Sequence, residues 1–425
     1  MKTYRKRIAD SLLSDLLASS GAVLIEGPKW CGKTTTAEQA ASSIVCVDEP
    51  KEKARNVLLA KTAPEVLLDG PRPRLLDEWQ IAPELWDAVR YAVDHESGFG
   101  HFVLTGSAVP PDSGAMSHSG TGRFAWLKMR PMSLWESGES SGEISLSSLF
   151  DGSAPAAAKA AVRALRDVAA IVCRGGWPQA LELPARLASN PARRYVDAVA
   201  KRDASRADGV ERDEFRVRRL LRSYARLQGS QAAVSAIRKD LAANEMASFD
   251  DDTIHSYLKA LRKIFVVEDM PAWSPNLRNK DAIRISDTRY FVDPSIGAAA
   301  LGVGPDDLMN DLPTFGLFFE TMAVRDLRVY MEALDGETLH YRDKTGLECD
   351  AVLHRRDGRY ALVEIKLGGD ALIEEGVRSL EALAGLIAAK KKPQPSFRMV
   401  LTATGGIAYR RPDGVFVCPL SALRP

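Results

Sequence analysis

The sequence predicts an α/β protein of several domains. Apolar strand-length runs alternate with amphipathic helical stretches through the first 135 residues, a helix–turn–helix pattern stands in the middle, and three strand-length runs joined by Gly-containing turns lie near the end. At 425 residues the chain exceeds one ordinary core, and length alone suggests about two to four domains. Hydrophobic residues at 45% and charged residues at 27% fit a soluble, globular chain. The net charge of +1 gives no global field toward nucleic acid or membrane, so such binding would have to come from local patches. Cys31, Cys46, Cys173, Cys349 and Cys418 are scattered, with no CxxC pair and no zinc spacing. That usage suits a reducing compartment. MKTYRKRIADSLL lacks a signal-peptide core, and no run approaches a membrane span. A cytoplasmic protein without membrane contact is expected.

The first element that carries chemistry is AVLIEG, an apolar run ending at Gly27. It reads as a buried strand. After four intervening residues come Gly32, Lys33 and Thr34, followed by TTAEQAAS with helix-forming content. This is the Walker A spacing in the strand–loop–helix context that the motif requires. Gly27 and Gly32 let the chain curl so that backbone N–H groups face a phosphate, and the helix N-terminus adds its positive end. Lys33 would reach the β- and γ-phosphates and the Thr34 hydroxyl would ligate Mg2+. Pro28, Lys29, Trp30, Cys31 and Thr35 complete the predicted ATP-holding loop.

Arg74-Leu75-Leu76 leads into Asp77-Glu78 and an amphipathic helix. Asp77 would hold the metal through water, and Glu78 would polarise the attacking water as general base. Alternatively, Asp77 only caps the next helix. A third strand, His101 to Leu104, ends in Thr105-Gly106-Ser107. Thr105 or Ser107 could orient the water as a sensor, or could simply be turn residues. VPPDSGAMSHSGTG then leads to Gly122-Arg123, and Arg123 is read either as a γ-phosphate contact or as a surface arginine.

Glu136 to about Ala160 is rich in Ser, Gly and Ala and reads as an insertion or linker. CRGGWPQAL follows a short helix, its Gly175-Gly176 pair marking a sharp turn. Asn190 to Leu227 is helical and dense in arginine, with interleaved acids that suggest a salt-bridged face or a phosphate-binding one. QAAVSAIRKDLAA and DDTIHSYLKALRKIF are two helices joined by a turn, the second with Ile254, Tyr257, Leu258 and Leu261 facing inward. Two strand-like runs come next, which makes a winged-helix pattern. His255, Lys259, Arg262 and Lys263 on the helix, with Arg278 and Lys280 in the wing, permit backbone contact with nucleic acid. A protein-contact role is equally open.

LFFETMAVRDLRVYM is a helix carrying Glu320. After it, Leu339 to Arg342, Glu348 to His354 and Tyr360 to Lys366 read as three strands. Period-two alternation puts Glu364 and Lys366 on one face, and the Asp357-Gly358 turn can bring Asp350 beside Glu364. Asp350 and Glu364 could ligate Mg2+, Glu320 could join them, and Lys366 could orient or help deprotonate a water for attack on a phosphodiester. This is an acid…acid-x-lysine signature of the restriction-endonuclease type; the plain alternative is a surface Glu364–Lys366 ion pair.

GPKWCGKTT, LLDEWQ, LTGS, GRF…MRPMSLWE, GGWPQAL, RDASR, the winged-helix segment and FFE…YRDKTGLECDAVL…ALVEIKLG occur in that order. The whole chain thus resembles a bacterial and archaeal family of AAA-type ATPases with a C-terminal restriction-endonuclease-like domain of unknown function. The resemblance implies a P-loop NTPase (AAA-type) core, a helical and winged-helix middle and a C-terminal restriction-endonuclease-like α/β domain. It implies nucleotide binding and hydrolysis at Gly27, Gly32, Lys33, Thr34, Asp77 and Glu78. It implies a nuclease-like site at Glu320, Asp350, Glu364 and Lys366. Lys29-Trp30-Cys31 departs from the family's more usual Arg-Gln-Val there, without touching the phosphate-holding positions. The expected segments are a P-loop domain at 1–135, a linker and helical segment at 136–229, a winged-helix domain at 230–305 and the nuclease-like domain at 306–425. The expected protein is an Mg2+-dependent ATPase coupled to a domain that processes nucleic acid, DNA before RNA. Its alternative is a nucleotide-switched regulator whose terminal domain binds nucleic acid or protein without cutting. Protein contact through the winged-helix module and homo-oligomerisation remain open.

Overall fold

The computed structural model describes residues 4–106, 121–246, 248–275 and 286–425. Ser107, Arg278 and Lys280 lie outside the described residues, as does most of the Ser/Gly/Pro-rich loop before Arg123. The chain divides into two compact units. One comprises residues 1–131, 198–213 and 257–266, and the other residues 132–197, 214–256 and 267–425. No described helix is long and apolar enough to cross a membrane.

The first unit is built on five strands: β1 (Ala22–Glu26), β2 (Ser43–Cys46), β3 (Arg74–Asp77), β4 (Phe102–Gly106) and β5 (Phe124–Lys128), in spatial order β2-β3-β4-β1-β5. All four pairings are parallel. β1 and β4 are continuous apolar runs because both faces of a parallel sheet are covered. Alternation sorts their residues: Leu24, Leu76, Phe102 and Leu104 pack with Trp79, Leu85, Trp86 and Val89. Val23, Ile25, Leu75 and Val103 pack with Leu13, Ala37 and Leu127. β4 lies between the strand that feeds the phosphate loop and the strand that ends in Asp77.

The second unit carries a mixed seven-stranded sheet and a two-stranded one. Its strands are β6 (Ile144–Ser145), β7 (Ala157–Lys159), β8 (Gly336–Arg342), β9 (Glu348–Arg355), β10 (Tyr360–Lys366), β11 (Arg398–Thr402), β12 (Ile407–Arg410), β13 (Phe416–Pro419) and β14 (Leu423–Arg424). The large sheet runs β7-β12-β13-β11-β10-β9-β8, with β8–β9–β10 an antiparallel meander and β10, β11 and β13 parallel. Helix Asp370–Ala389 lays Val377, Leu380, Leu383 and Ile387 on Val352, Leu362 and Val400. Helix Leu312–Ala333 packs on β8, β9 and β10.

The segment from Glu136 to Ala160, expected as an insertion or linker, contributes to two sheets: β6 pairs with β14 and β7 forms the edge of the large sheet on β12. Ile144, Leu146, Leu149 and Phe150 are buried, and Phe150 meets Phe397 edge-on. Several of its serines bond to backbone. Ser140 donates to the Leu423 carbonyl at 2.7 Å, and Ser145 accepts the Ser148 N–H at 3.3 Å as a helix cap. Residues 230–305, expected as a winged-helix domain, divide between the two compact units. Helices Val234–Asn244 and Asp251–Lys263 are present, with Ile254, Tyr257, Leu258 and Leu261 buried as expected. Past these helices, the described chain up to Phe291 pairs with itself through the isolated bridges Val267–Phe291 and Met270–Thr288 rather than as full strands.

The arginine-dense stretch is laced with ion pairs. Arg212 pairs with Asp208, Arg218 with Asp197 and Glu214, and Arg226 with Asp240 and Glu245.

Candidate functional sites

The phosphate loop leaves β1 at Glu26 and re-enters helix Lys33–Ala40 at Gly32. Gly27 (φ +151°) and Gly32 (φ +104°) take positive φ, as the loop requires, and Trp30 does so at +66°. A Cβ on Gly27 would stand 2.1 Å from the Met129 carbonyl oxygen, so only glycine fits beside β5. Lys33 is buried and folds its ammonium into the loop, donating to the carbonyls of Gly27 at 2.9 Å and Pro28 at 2.8 Å. Cys31 is buried with Sγ 3.8 Å from the Met129 carbonyl, whereas Trp30 and Thr35 are exposed. Arg7, upstream of β1, donates to the carbonyls of Cys31 and Arg130 at 2.8 Å each and braces the loop from behind.

At the same edge of the sheet, the Thr34 hydroxyl donates to Asp77 Oδ1 at 2.8 Å, and the Thr105 hydroxyl donates to the same oxygen. The register explains this: Thr105 on β4 stands opposite both Ile25 and Asp77. Asp77 therefore does not cap a helix. Glu78 comes next, in the left-handed region (φ +56°), and accepts from the Gln80 amide. Burial raises the Glu78 carboxyl above its ordinary pKa, against the hydrogen bond from Gln80. A left-handed non-glycine residue beside a phosphate loop fits the concentration of backbone strain at functional sites.

Of the two readings of Arg123, γ-phosphate contact or surface arginine, the placement fits the second. The Arg123 carbonyl accepts the Ala22 N–H at the start of β1, and its guanidinium pairs with Asp94 at 2.7 Å. That is the edge of the parallel sheet opposite the loop, because β5 runs in the same direction as β1. Asp203, expected only as one of the interleaved acids of the arginine-dense stretch, instead accepts from Lys29 Nζ at 2.6 Å across 174 residues, a pairing that sequence reasoning missed. It also missed Arg7 and Gln80. Arg7 had no motif to flag it; Gln80, two residues past Glu78, could have been read as its partner.

In the second unit, the structure brings together the four residues predicted at the end of the β-meander. Asp350 on β9 accepts the Ile365 N–H of β10 at 2.7 Å, which fixes it beside Glu364. Glu364 is buried and pairs with Lys366 Nζ at 3.2 Å. Lys366 also meets Glu375 at 3.2 Å, and Ser379 donates to Glu364 at 3.1 Å. Glu320 reaches in from helix Leu312–Ala333, held by the Tyr290 hydroxyl. Burial, then the neighbouring Asp350 charge, pushes Glu364 up to about 8 and Glu320 well above the carboxylate range. Burial also raises Asp350, against the pull of Lys366. Hard oxygen donors that repel one another in this way suit a divalent cation, which would relieve the repulsion. Among the described residues, however, no three acidic, His or Cys side chains form a ready ion cage. Tyr290 and Ser379 are further residues that the sequence did not flag.

Three families match separate parts of the chain: an AAA domain over residues 19–137, a domain of unknown function (DUF8612) over 165–307 and another (DUF4143) over 315–423. Uncharacterised proteins of Mycobacterium tuberculosis and Mycobacterium bovis are each 22% identical over 377 residues, spanning 88% of this chain and 76% of theirs. A solved Walker-type ATPase of Pyrococcus abyssi aligns at 14% identity with a TM-score of 0.41, covering 70% of this chain and 96% of its own. The AAA match falls on the parallel sheet that carries Lys33, Thr34 and Asp77, and it supports ATP binding and hydrolysis there. Residues 19–137, with their phosphate loop and parallel sheet, thus match the AAA domain family.

Proposed function

We propose that the chain is an Mg2+-dependent ATPase whose second unit acts on nucleic acid, DNA before RNA, through a restriction-endonuclease-like site. The observation that carries the first half is the Thr34–Asp77–Thr105 cluster beside the buried Lys33 ammonium. Thr34 and Asp77 present the hydroxyl and carboxylate oxygens that an ATP-bound Mg2+ would engage, one directly and one through water. Lys33, now satisfied by two loop carbonyls, would turn its ammonium to the β- and γ-phosphates. Glu78, with its raised pKa, would accept the proton of the attacking water. Mg2+ would supply charge neutralisation on the phosphates.

For the second unit, Asp350 and Glu364 would hold a divalent cation, and Lys366 would orient the water. Glu320, steadied by Tyr290, would complete the acidic wall. Exposed His255, Lys259 and Arg262 on helix Asp251–Lys263 are the basic groups through which a winged-helix-like segment would meet a nucleic-acid backbone or a partner protein. The regulatory reading, in which this unit binds without cutting, is favoured by one feature: Lys366 is already engaged by two carboxylates, Glu364 and Glu375.

One experiment separates these readings. Calorimetric titration with ATP–Mg2+ should saturate for the wild type, and Lys33→Ala should abolish turnover. Metal-dependent cleavage of labelled DNA and RNA, lost in Asp350→Ala, would support the nuclease. No cleavage with Mg2+ or Mn2+, with or without ATP, would leave the regulator.

A further inference from the structure

Hydrolysis at a phosphate loop gains most from a second cation on the γ-phosphate, typically an arginine. Arg123, the residue the sequence offered, stands at the wrong edge of the sheet. The first unit carries other arginines on a segment that an ion pair ties to the loop.

Lys29, inside the phosphate loop, is tied to Asp203 at 2.6 Å, and Asp203 is 7% exposed. This pair fixes the segment from Val199 to Arg206 against the loop, and both belong to the same compact unit. The segment is locally unusual. Val199–Asp203 is one π-helical turn, and Ala204–Arg206 returns to the α-helix. Such turns are uncommon and gather at functional sites. Buried Ala200, Ala204 and Ala207 set its rotation, leaving Arg202 and Arg206 exposed. Arg206 lies one turn beyond Asp203 and so on the same side of the helix. Among the described residues neither Arg202 nor Arg206 has an ion-pair partner, whereas Arg212, six residues past the end of the helix, is bound by Asp208.

We propose that Arg206 is a cis-acting catalytic residue that contacts the γ-phosphate of ATP, with the Lys29–Asp203 pair holding it in reach. The inference rests on the ATPase reading above. In the step it serves, the water oxygen bonds to the γ-phosphorus as the bond to the β–γ bridging oxygen breaks. The water proton passes to Glu78, ADP leaves with the bridging oxygen, and inorganic phosphate is released. Arg206 neutralises the equatorial γ-oxygens and Lys33 the leaving oxygen. ADP lacks the group that Arg206 would touch, so the same contact distinguishes ATP from ADP. Asp203 and Lys29 are positioning residues: Lys29 neutralises Asp203, which leaves the arginine charge for the nucleotide.

The test uses the full chain with Arg206→Ala, Arg206→Lys, Asp203→Asn and Lys33→Ala. Steady-state phosphate release gives kcat and KM, and fluorescent-nucleotide titration gives ADP affinity. Arg206→Ala is expected to lower kcat by about 10³-fold with ADP affinity unchanged. Arg206→Lys should recover part of that loss, and Asp203→Asn should lower kcat while leaving ADP affinity intact. Circular-dichroism melts identify any variant that fails through misfolding; for such a variant, Arg206→Gln replaces Arg206→Ala. If Arg206→Ala turns over ATP at the wild-type rate where Lys33→Ala does not, the proposal is overturned and the ATPase reading stands. If the wild type binds no ATP, both are overturned.

Discussion

Arg325 is 2% exposed, and its guanidinium is shared between Asp293 at 2.8 Å and Asp326 at 2.7 Å. The remaining acceptor capacity of both acids is used: Asp326 takes the Leu134 N–H at 2.9 Å and Asp293 takes the Gly176 N–H at 3.0 Å. One cation thus fastens four distant stretches of the second unit. Replacing it by Met would strand two buried carboxylates, and Arg325→Met is expected to cost about 3–5 kcal/mol in urea unfolding. His340 makes a different test. It is 2% exposed, and burial lowers its imidazole from 6.5 to about 4. Its folded pKa lies below the unfolded one, so between them the unfolded chain binds more protons. Its contribution is therefore complete above pH 6.5 and is lost as pH falls toward 4, up to about 3 kcal/mol. His340→Gln should flatten that part of the stability–pH curve.

At the scale of elements, the phosphate loop is the most constrained. Gly27→Ala would place a methyl 2.1 Å from a backbone oxygen of the neighbouring strand, at φ +151°. Strain alone is worth about 1–3 kcal/mol, and the expected readout is lost ATP binding together with a lowered melting temperature. This loop and the β8–β10 meander were legible in the sequence because their signals are local. Glycine at fixed offsets, an Asp-Gly turn and period-two alternation need no knowledge of the rest of the fold, and the meander appears within a few residues of its expected bounds. β6 and β7 were not legible. Two or three residues of Ile, Ser, Ala and Lys have no periodicity to read, and they become strands only because β14 and β12 offer an edge. The role of Asp203 was hidden for the same reason: its partner Lys29 is far away in sequence, and one acid among many interleaved charges names no distant partner.

For the whole molecule, each compact unit draws on stretches far apart in the sequence. The chain passes between its two units after residues 131, 197, 213, 256 and 266. A fragment of residues 306–425 would therefore lack β6 and β7 and expose the edge of β12. Expressed alone, it is expected to aggregate or to show no cooperative melt, while the full chain melts cooperatively. A soluble, cooperatively folded fragment would contradict this.

The pairing of β6 with β14 has a consequence for synthesis. Ile144 and Leu423 are both fully buried neighbours in one small sheet, yet almost the whole second unit is encoded between them. At about 5–20 residues per second, the first strand would leave the ribosome roughly 15–60 s before its mate is translated. For that interval the newborn polypeptide presents greasy side chains and open amides to the cell, and that is when a holding chaperone would have most to do.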